Sequence, residues 1–455
     1  MAVAVGDDFL ALIDAPKLTR RYWLTFSLVV LQFVCEVFDF FIVGFLVSQV
    51  APQWGLTFGQ STIILLSAGF GSMLGALTFG RLSDRFGRRF AILCGTLIYC
   101  VCAGAIGLIP DGAWALFALL RFLVGFGYGG AGTSQFTLIT EYTPTKYRTL
   151  MTSSLGIPAS VGVLLASVVV SSLFPILGWR GVAMLGLSPV LVGIALVAVA
   201  PESMRWLVAR GEAERARKSA AKMLGLPLEQ IPVPAPAPPA PKASFAEVFR
   251  DKRRFWLIVT IQFGIAIAQN GVLLWGPTVL AQLLAITAQQ AATYFIAVSL
   301  TGVAGRIFFT VASQKIGRLK SGYLLAYVGA AGLAGASIFH GQYVAGLPLF
   351  FIFLTVGFFF LDGGYANFSP YAAELYPVRL AATALGVQQA ASGLGKIIGP
   401  LVLGLMAGAN NLVSPKATQA AVAPAFMFLA CGCLAAGLAY SFLGIETHKR
   451  ALKLA

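Results

Sequence analysis

Six ionisable side chains sit inside stretches of sequence that are otherwise apolar: Glu36, Asp39, Arg121, Arg306, Asp362 and Lys396. A charge at the centre of a helix inserted in a bilayer costs about 2.5–3.5 kcal/mol, so each calls for a functional explanation. Glu36 and Asp39, in "CEVFDFF", are three residues apart and share a helix face. Two carboxyl groups held close in a partly dry cavity cannot both ionise easily, and an arginine beside one of them keeps that one charged. A carboxylate poised in this way can take a proton on one side and release it on the other. Asp39 is the expected proton carrier, Arg121 its alternating partner and Glu36 its assistant. The other cations suit a different task. Arginine matches a carboxylate bidentately, so Arg306 and Lys396 are candidates to receive an anion, with Asp362 a competing partner for Lys396. Phe38, Phe40, Tyr128 and Trp275 are candidates to sandwich a ring. Gln262, Gln269 and Asn270 offer neutral hydrogen bonds that would suit a sugar or polyol instead.

These residues need elements to hold them. The chain has 455 residues, 58% hydrophobic and only 11% charged, which excludes an ordinary soluble domain. A spanning helix takes about 20 apolar residues. Twelve such runs can be counted, from 22–50 to 421–444, the tenth being 343–373. With both termini on the cytoplasmic side, 27 of the 32 basic residues fall in inner segments and 2 in outer ones, as the positive-inside rule requires. The net charge of +15 is therefore read as topology, not as nucleic-acid binding. At 1.5 Å rise per residue, Asp39, Arg121 and Lys396 lie about 25–30 Å from the inner ends of their helices, at similar height. The six cysteines all fall in apolar runs without a CxxC pair and are expected to pack, with no metal site. No signal peptide is expected, because Asp7, Asp8 and Asp14 precede the basic residues.

The segment 201–254 divides the chain. "RWLVARGEAERARKSAAKML" reads as a charged interfacial helix, "PLEQIPVPAPAPPAP" as an extended linker that cannot hold a helix, and "FAEVFRDKRR" as a short amphipathic helix. On either side the halves repeat. "SDRFGRR" is echoed by "SQKIGRL", "EYTPTKYR" by "ELYPVRLA" and "PESMR" by "IETHK", at offsets of 230 to 244 residues. The expected organisation is a six-helix bundle (1–200), a cytoplasmic linker (201–254), a second six-helix bundle (255–445) and a cytoplasmic tail (446–455). Duplicated halves with a site at their interface recur among transporters. None of the six buried charges has a charged counterpart at the repeat offset, which favours function over architecture.

"GRLSDRFGRR", residues 80–89, resembles the inner-loop signature of the major facilitator superfamily. "RFLVGFGYGG", "EYTPTKYR" and "PESMRWL" resemble its sugar-porter-like branch and relatives, which include aromatic-acid/proton symporters and organic-ion transporters. "EVFD" resembles the DGFD-type signature of the aromatic-acid symporters, with Glu36 for the first Asp and Val37 for the Gly. The resemblance covers essentially the whole chain and implies an all-α membrane protein: twelve transmembrane helices in two pseudo-symmetric six-helix bundles working by alternating access. Asp84, Glu141 and Glu202 lie at inner helix ends among Arg85, Arg88, Arg89, Arg148 and Arg205. These charges are expected to form a latch that stabilises the outward-open state, with Glu141 and Arg148 matched by their spacing. Gln314 and Ala381 stand where Asp84 and Arg148 would repeat, so a weaker latch is expected in the second half.

The expected function is proton-coupled uptake of a small organic anion, best an aromatic or heteroaromatic carboxylate. The alternatives are a sugar or polyol carrier, and a drug or metabolite antiporter, for which "GIPASVG" partly resembles the GPxxGG-like element of that class. No nucleotide-binding motif is present, so no cofactor is expected beyond the proton gradient. An enzyme is not expected: the two histidines, His340 and His448, fall at a helix end and in the tail. The expected setting is the bacterial inner membrane, multi-pass, with the protein monomeric and its partners limited to substrate, protons and bilayer.

Overall fold

The computed structural model describes residues 7–15, 18–234 and 245–447. The stretch 235–244 of the linker, the tail from 448 with His448, and the side chains of Arg379 and Ala381 lie outside the described residues. The chain runs α1 (Asp7–Ile13), α2 (Arg20–Gln53), α3 (Phe58–Phe86), α4 (Arg88–Ile106), α5 (Trp114–Tyr142), α6 (Thr145–Ser154), α7 (Gly156–Met184), α8 (Val190–Val199), α9 (Met204–Ala209) and α10 (Ala213–Leu224). After the linker come α11 (Phe245–Arg250), α12 (Lys252–Leu284), α13 (Ala288–Ile316), α14 (Arg318–Ile338), a hairpin of β1 (Tyr343–Val344) and β2 (Leu347–Pro348), α15 (Leu349–Gly363), α16 (Tyr365–Glu374), α17 (Val378–Met406) and α18 (Pro415–Leu443).

Among the described residues eleven helical stretches are long and apolar enough to cross a membrane. One of them, Thr145–Val199, has 55 residues, far more than the roughly 20 of one pass. It bends at Gly178, where φ is 63° and ψ is 177°. Arg180, just beyond the bend, donates to the Gly107 carbonyl at the α4–α5 loop, and Glu202, just beyond α8, receives the Arg88 backbone N–H. The stretch therefore goes out and returns, giving twelve passes.

The duplication extends to local chemistry. Thr57 and Gln60 form a capping box at the start of α3, and Thr287 and Gln290 form the same box at the start of α13. Gly87 and Gly317 take φ of 103° and 96° at the α3–α4 and α13–α14 turns, a region costly for any side chain. Helices approach closely at small residues, as the glycine-rich runs predict. A Cβ at Gly71 of α3 would lie 2.0 Å from the Phe122 carbonyl oxygen of α5.

Four details differ from the sequence reading. Residues 204–224 form two helices, because Gly211 takes φ 76° between α9 and α10. Lys252–Arg254 open the spanning helix α12 and are not the end of a short amphipathic one. Residues 343–348, read as part of a span, form the β1–β2 hairpin, turned by Ala345 and Gly346 at φ 51° and 80°. An unanticipated helix, α1, buries Phe9 and Ile13 in a cluster with Tyr22, Leu207 and Met223.

The two halves meet most tightly at the end away from the arginine-rich loops. Phe58 N donates to Asn411 O at 2.9 Å, Gly59 N to Ala409 O at 2.9 Å and Val413 N to Leu56 O at 3.1 Å. On the α7–α13 seam, Ser167 and Ser299 are 3.1 Å apart, and Ser171 and Thr293 2.7 Å. This far end is sealed by backbone as well as side chains. At the basic end, no ion pair between two described residues joins the two six-helix halves.

Candidate functional site

The α2–α5 interface positions the first charges. Arg121 of α5 lies 3.4 Å from Asp39 Oδ2 and donates from Nη1 to the Asp39 carbonyl at 2.9 Å. Its Nη2 donates to the Phe40 carbonyl at 2.8 Å. Both side chains are buried, so the pair is shielded from bulk water. Asp39 and Arg121 are thus together, as their height along the helices predicted. Glu36, three residues back, turns to a different partner. Gln135 Nε2 donates to its Oε1 at 2.6 Å, while Oε2 is buried beside Gly132 without a hydrogen-bond partner among the described residues.

The second cluster crosses between the halves. Arg306 of α13 grips Asp362 of α15 with two hydrogen bonds, Nε to Oδ2 and Nη2 to Oδ1, each 2.9 Å. Gln269 of α12 adds a bond to Oδ1 at 2.6 Å. Ser160 of α7 donates to Asp362 Oδ2, and Arg306 Nη1 donates to the Gly156 carbonyl, so the other half contributes both a donor and an acceptor. The Arg306 guanidinium also lies over the Tyr365 ring, 5.1 Å from its centre. This corrects the expected competition: Asp362 pairs with Arg306, not with Lys396. Each guanidinium nitrogen of Arg306 has a protein acceptor in this arrangement.

Lys396 of α17 is left as the cation of the six without a carboxylate among the described residues, and Glu36 as the acid without a cation. The ammonium lies 5.4 Å from the centres of both the Phe40 and Tyr128 rings, a geometry that favours a cation electrostatically. Phe40 and Tyr128 themselves pack at 5.1 Å. Gly69 of α3 lies against the Lys396 backbone, where an added Cβ would be 3.4 Å from the Lys396 carbonyl oxygen. Lys396, Ser392 and Gln388 recur at four-residue spacing on α17 and so share one face. Gln388 donates to Gln262 at 3.0 Å and keeps a buried carbonyl oxygen without a partner among the described residues.

Several candidates fall elsewhere. Trp275 is fully buried, bonds Pro400 O at 2.8 Å and packs on Phe58 near the sealed end. Asn270 donates to the Ala266 carbonyl of its own helix at 2.9 Å. Phe38 is buried, with its backbone nitrogen beside Gly162 of α7. At the basic end Glu141 pairs with Arg88 at 2.8 Å, not with Arg148; Asp84 pairs with Arg88 at 2.7 Å; and Arg148 and Arg205 pair with Asp14 at 3.5 and 2.8 Å. Glu202 caps α4 by accepting from Arg88 N at 3.0 Å and Arg89 N at 3.3 Å, while Arg85 lies over the Phe86 ring. In the second half Arg318 pairs with Glu374 at 2.7 Å, and Glu446 accepts from Arg318 N at 3.1 Å. Sequence reasoning missed Gln135, Ser160 and Tyr365. An isolated amide in an apolar helix was the available signal for Gln135; nothing local distinguished Ser160.

Two six-helix halves with buried charges at their junction define a polytopic membrane transporter. The family model of the Major Facilitator Superfamily matches residues 29–400, and the chain belongs to that superfamily. It is a transporter of small molecules, not an enzyme. It is 26% identical to the niacin transporter NiaP of Acinetobacter baylyi over 98% of this chain and 99% of that protein. It is 24% identical to the 4-hydroxybenzoate transporter PcaK of the same organism, over 89% of each. The partially occluded inward-open structure of the xylose transporter XylE from E. coli superposes with a TM-score of 0.72 at 19% identity, covering 94% of this chain and 99% of that one.

Proposed function

We propose that this protein carries a small aromatic or heteroaromatic carboxylate in symport with a proton. The observation that carries the reading is Lys396: a membrane-embedded cation, walled by two aromatic rings, with no carboxylate among the described residues. A carboxylate substrate supplies the missing negative charge, and its ring lies against Phe40 and Tyr128. Relatives named for niacin and 4-hydroxybenzoate support this class. The neutral groups that would favour a sugar are engaged, Gln269 by Asp362 and Gln262 by Gln388.

Coupling follows from adjacency. Asp39 is the proton carrier, and Phe40 is the next residue. Arg121 holds the Asp39 carboxylate and the carbonyls of both residues. Protonation of Asp39 removes the charge attraction on Arg121 and frees it to shift, which moves the Phe40 wall of the Lys396 site. One proton taken with one monoanion keeps the cycle electroneutral. Rocking of the halves then unseals the far end and closes the basic end, which faces the cytoplasm of a bacterial inner membrane. The protein works as a monomer without a cofactor. The test is uptake of labelled nicotinate and 4-hydroxybenzoate into proteoliposomes under an inward proton gradient. Asp39→Asn is expected to abolish accumulation while leaving exchange. Accumulation that survives intact in Asp39→Asn overturns the assignment.

A further inference from the structure

A cleft of roughly 200 Å³ opens at the basic end, outside the transport path, between the start of α4, the end of α8 and α10. Its walls carry Arg89, Arg215, Lys218 and Lys222, with Ser219 and Glu202. Arg215, Lys218 and Lys222 follow i, i+3, i+7 spacing and share one face of α10. That helix is fixed in place: Thr19 Oγ1 donates to Met223 O at 2.7 Å, Arg21 Nη1 to Lys222 O at 3.0 Å, and Ser219 Oγ to Glu202 O.

The acids nearby neutralise this wall only in part: Glu202 lines it and Glu212 pairs with Arg215. The Glu202 carboxylate accepts from the backbone N–H groups of Arg88, Arg89 and Ser203. The ion pairs of the segment join Arg210 and Arg215 to Glu212 and Arg217 to Glu214. Among the described residues Lys218 and Lys222 therefore face the cleft without a carboxylate within ion-pair distance. Arg89 reaches the Val197 carbonyl with one nitrogen, and its Nε is buried with no partner among the described residues. A guanidinium lining a cleft beside two lysines that lack an ion pair offers charge and several donors to an anion with several oxygens.

We propose that this cleft binds a phosphate-bearing anion, either the headgroup of an anionic lipid or a soluble phosphate. The position favours the lipid. Clustered basic residues immediately beside a spanning helix attract anionic headgroups, each contributing about fivefold in affinity. An occupant would bridge α4 to α10 beside the Arg88, Glu141 and Asp84 network. The inference is independent of the substrate reading.

The test is thermal unfolding of the full-length protein in an uncharged detergent. Short-chain phosphatidic acid is titrated against short-chain phosphatidylcholine, inorganic phosphate and chloride at matched ionic strength. Saturable stabilisation by phosphatidic acid alone assigns the lipid headgroup; stabilisation by inorganic phosphate as well assigns the shared phosphate. In either case R215Q/K218Q/K222Q should bind on the order of 100-fold more weakly. Its unliganded melting point reports whether it folds. Should it melt low, K218Q alone serves, with a loss of about fivefold. The proposal is overturned if neither phosphate compound stabilises beyond chloride, or if the variants bind like the wild type.

Discussion

Gly44 lies where the halves touch near the sealed end. A Cβ built on it would sit 2.7 Å from the Leu274 carbonyl oxygen and 2.9 Å from that of Leu273, both on α12 of the other half. These are backbone atoms, so no rotamer change relieves the clash. Gly44→Ala therefore penalises the sealed arrangement by about 1–3 kcal/mol, the usual range for overpacking. The contact disappears when α2 and α12 separate, so the open arrangement escapes the penalty. The ratio of the two should shift toward the unsealed form by about 5- to 150-fold. The assay is a distance distribution between spin labels at Leu108 and Val344, exposed positions at the sealed end in opposite halves, in a cysteine-free background. Gly80→Ala is the control, since an added Cβ there meets nothing within 4 Å. A Gly44→Ala distribution indistinguishable from the wild type would refute the assignment of this contact as a seal.

Arg306→Ala and Lys396→Ala should differ sharply in stability. Arg306→Ala strands the buried Asp362 and should lower stability by about 3–5 kcal/mol, whereas Lys396 has no ion pair among the described residues to lose; equal melting points for the two variants would contradict this pairing. Ser160→Ala removes a bond to a charged acceptor worth about 1.5–3 kcal/mol and should lower the melting point measurably, although Gln269 and Arg306 still hold Asp362. Phe9→Ala, at a fully buried position, should cost about 3–5 kcal/mol of local stability and release α1 to limited proteolysis, with the spanning helices unaffected.

The fold was legible because its causes are local in sequence. Apolar runs of spanning length, basic loops between them and repeated turn motifs all survive without tertiary information. Even the unread part of the duplication, Thr57 with Gln60 and Thr287 with Gln290, was visible as a spacing of 230 residues. The inventory of buried charges was legible for the same reason. Their pairing was not, because it depends on how helices rotate against one another. Asp362 chose Arg306, on the neighbouring α13, leaving Lys396 alone. The Glu141–Arg148 spacing failed because α5 ends at Tyr142 and a new helix starts at Thr145, so the two residues do not share one helix. Residues 343–348 were apolar enough for a span, but the two positive φ angles at 345 and 346 made a hairpin.

Ligand-dependent thermal unfolding of the wild type and Lys396→Ala, against aromatic carboxylates, sugars, polyols and organic cations, tests the central claim most directly. A ligand at 100 times its dissociation constant stabilises a folded protein by about 2.7 kcal/mol when it binds that state alone. The account predicts a shift with nicotinate or 4-hydroxybenzoate that Lys396→Ala abolishes. A shift with sugars or cations alone, or a carboxylate shift that persists without Lys396, would contradict it.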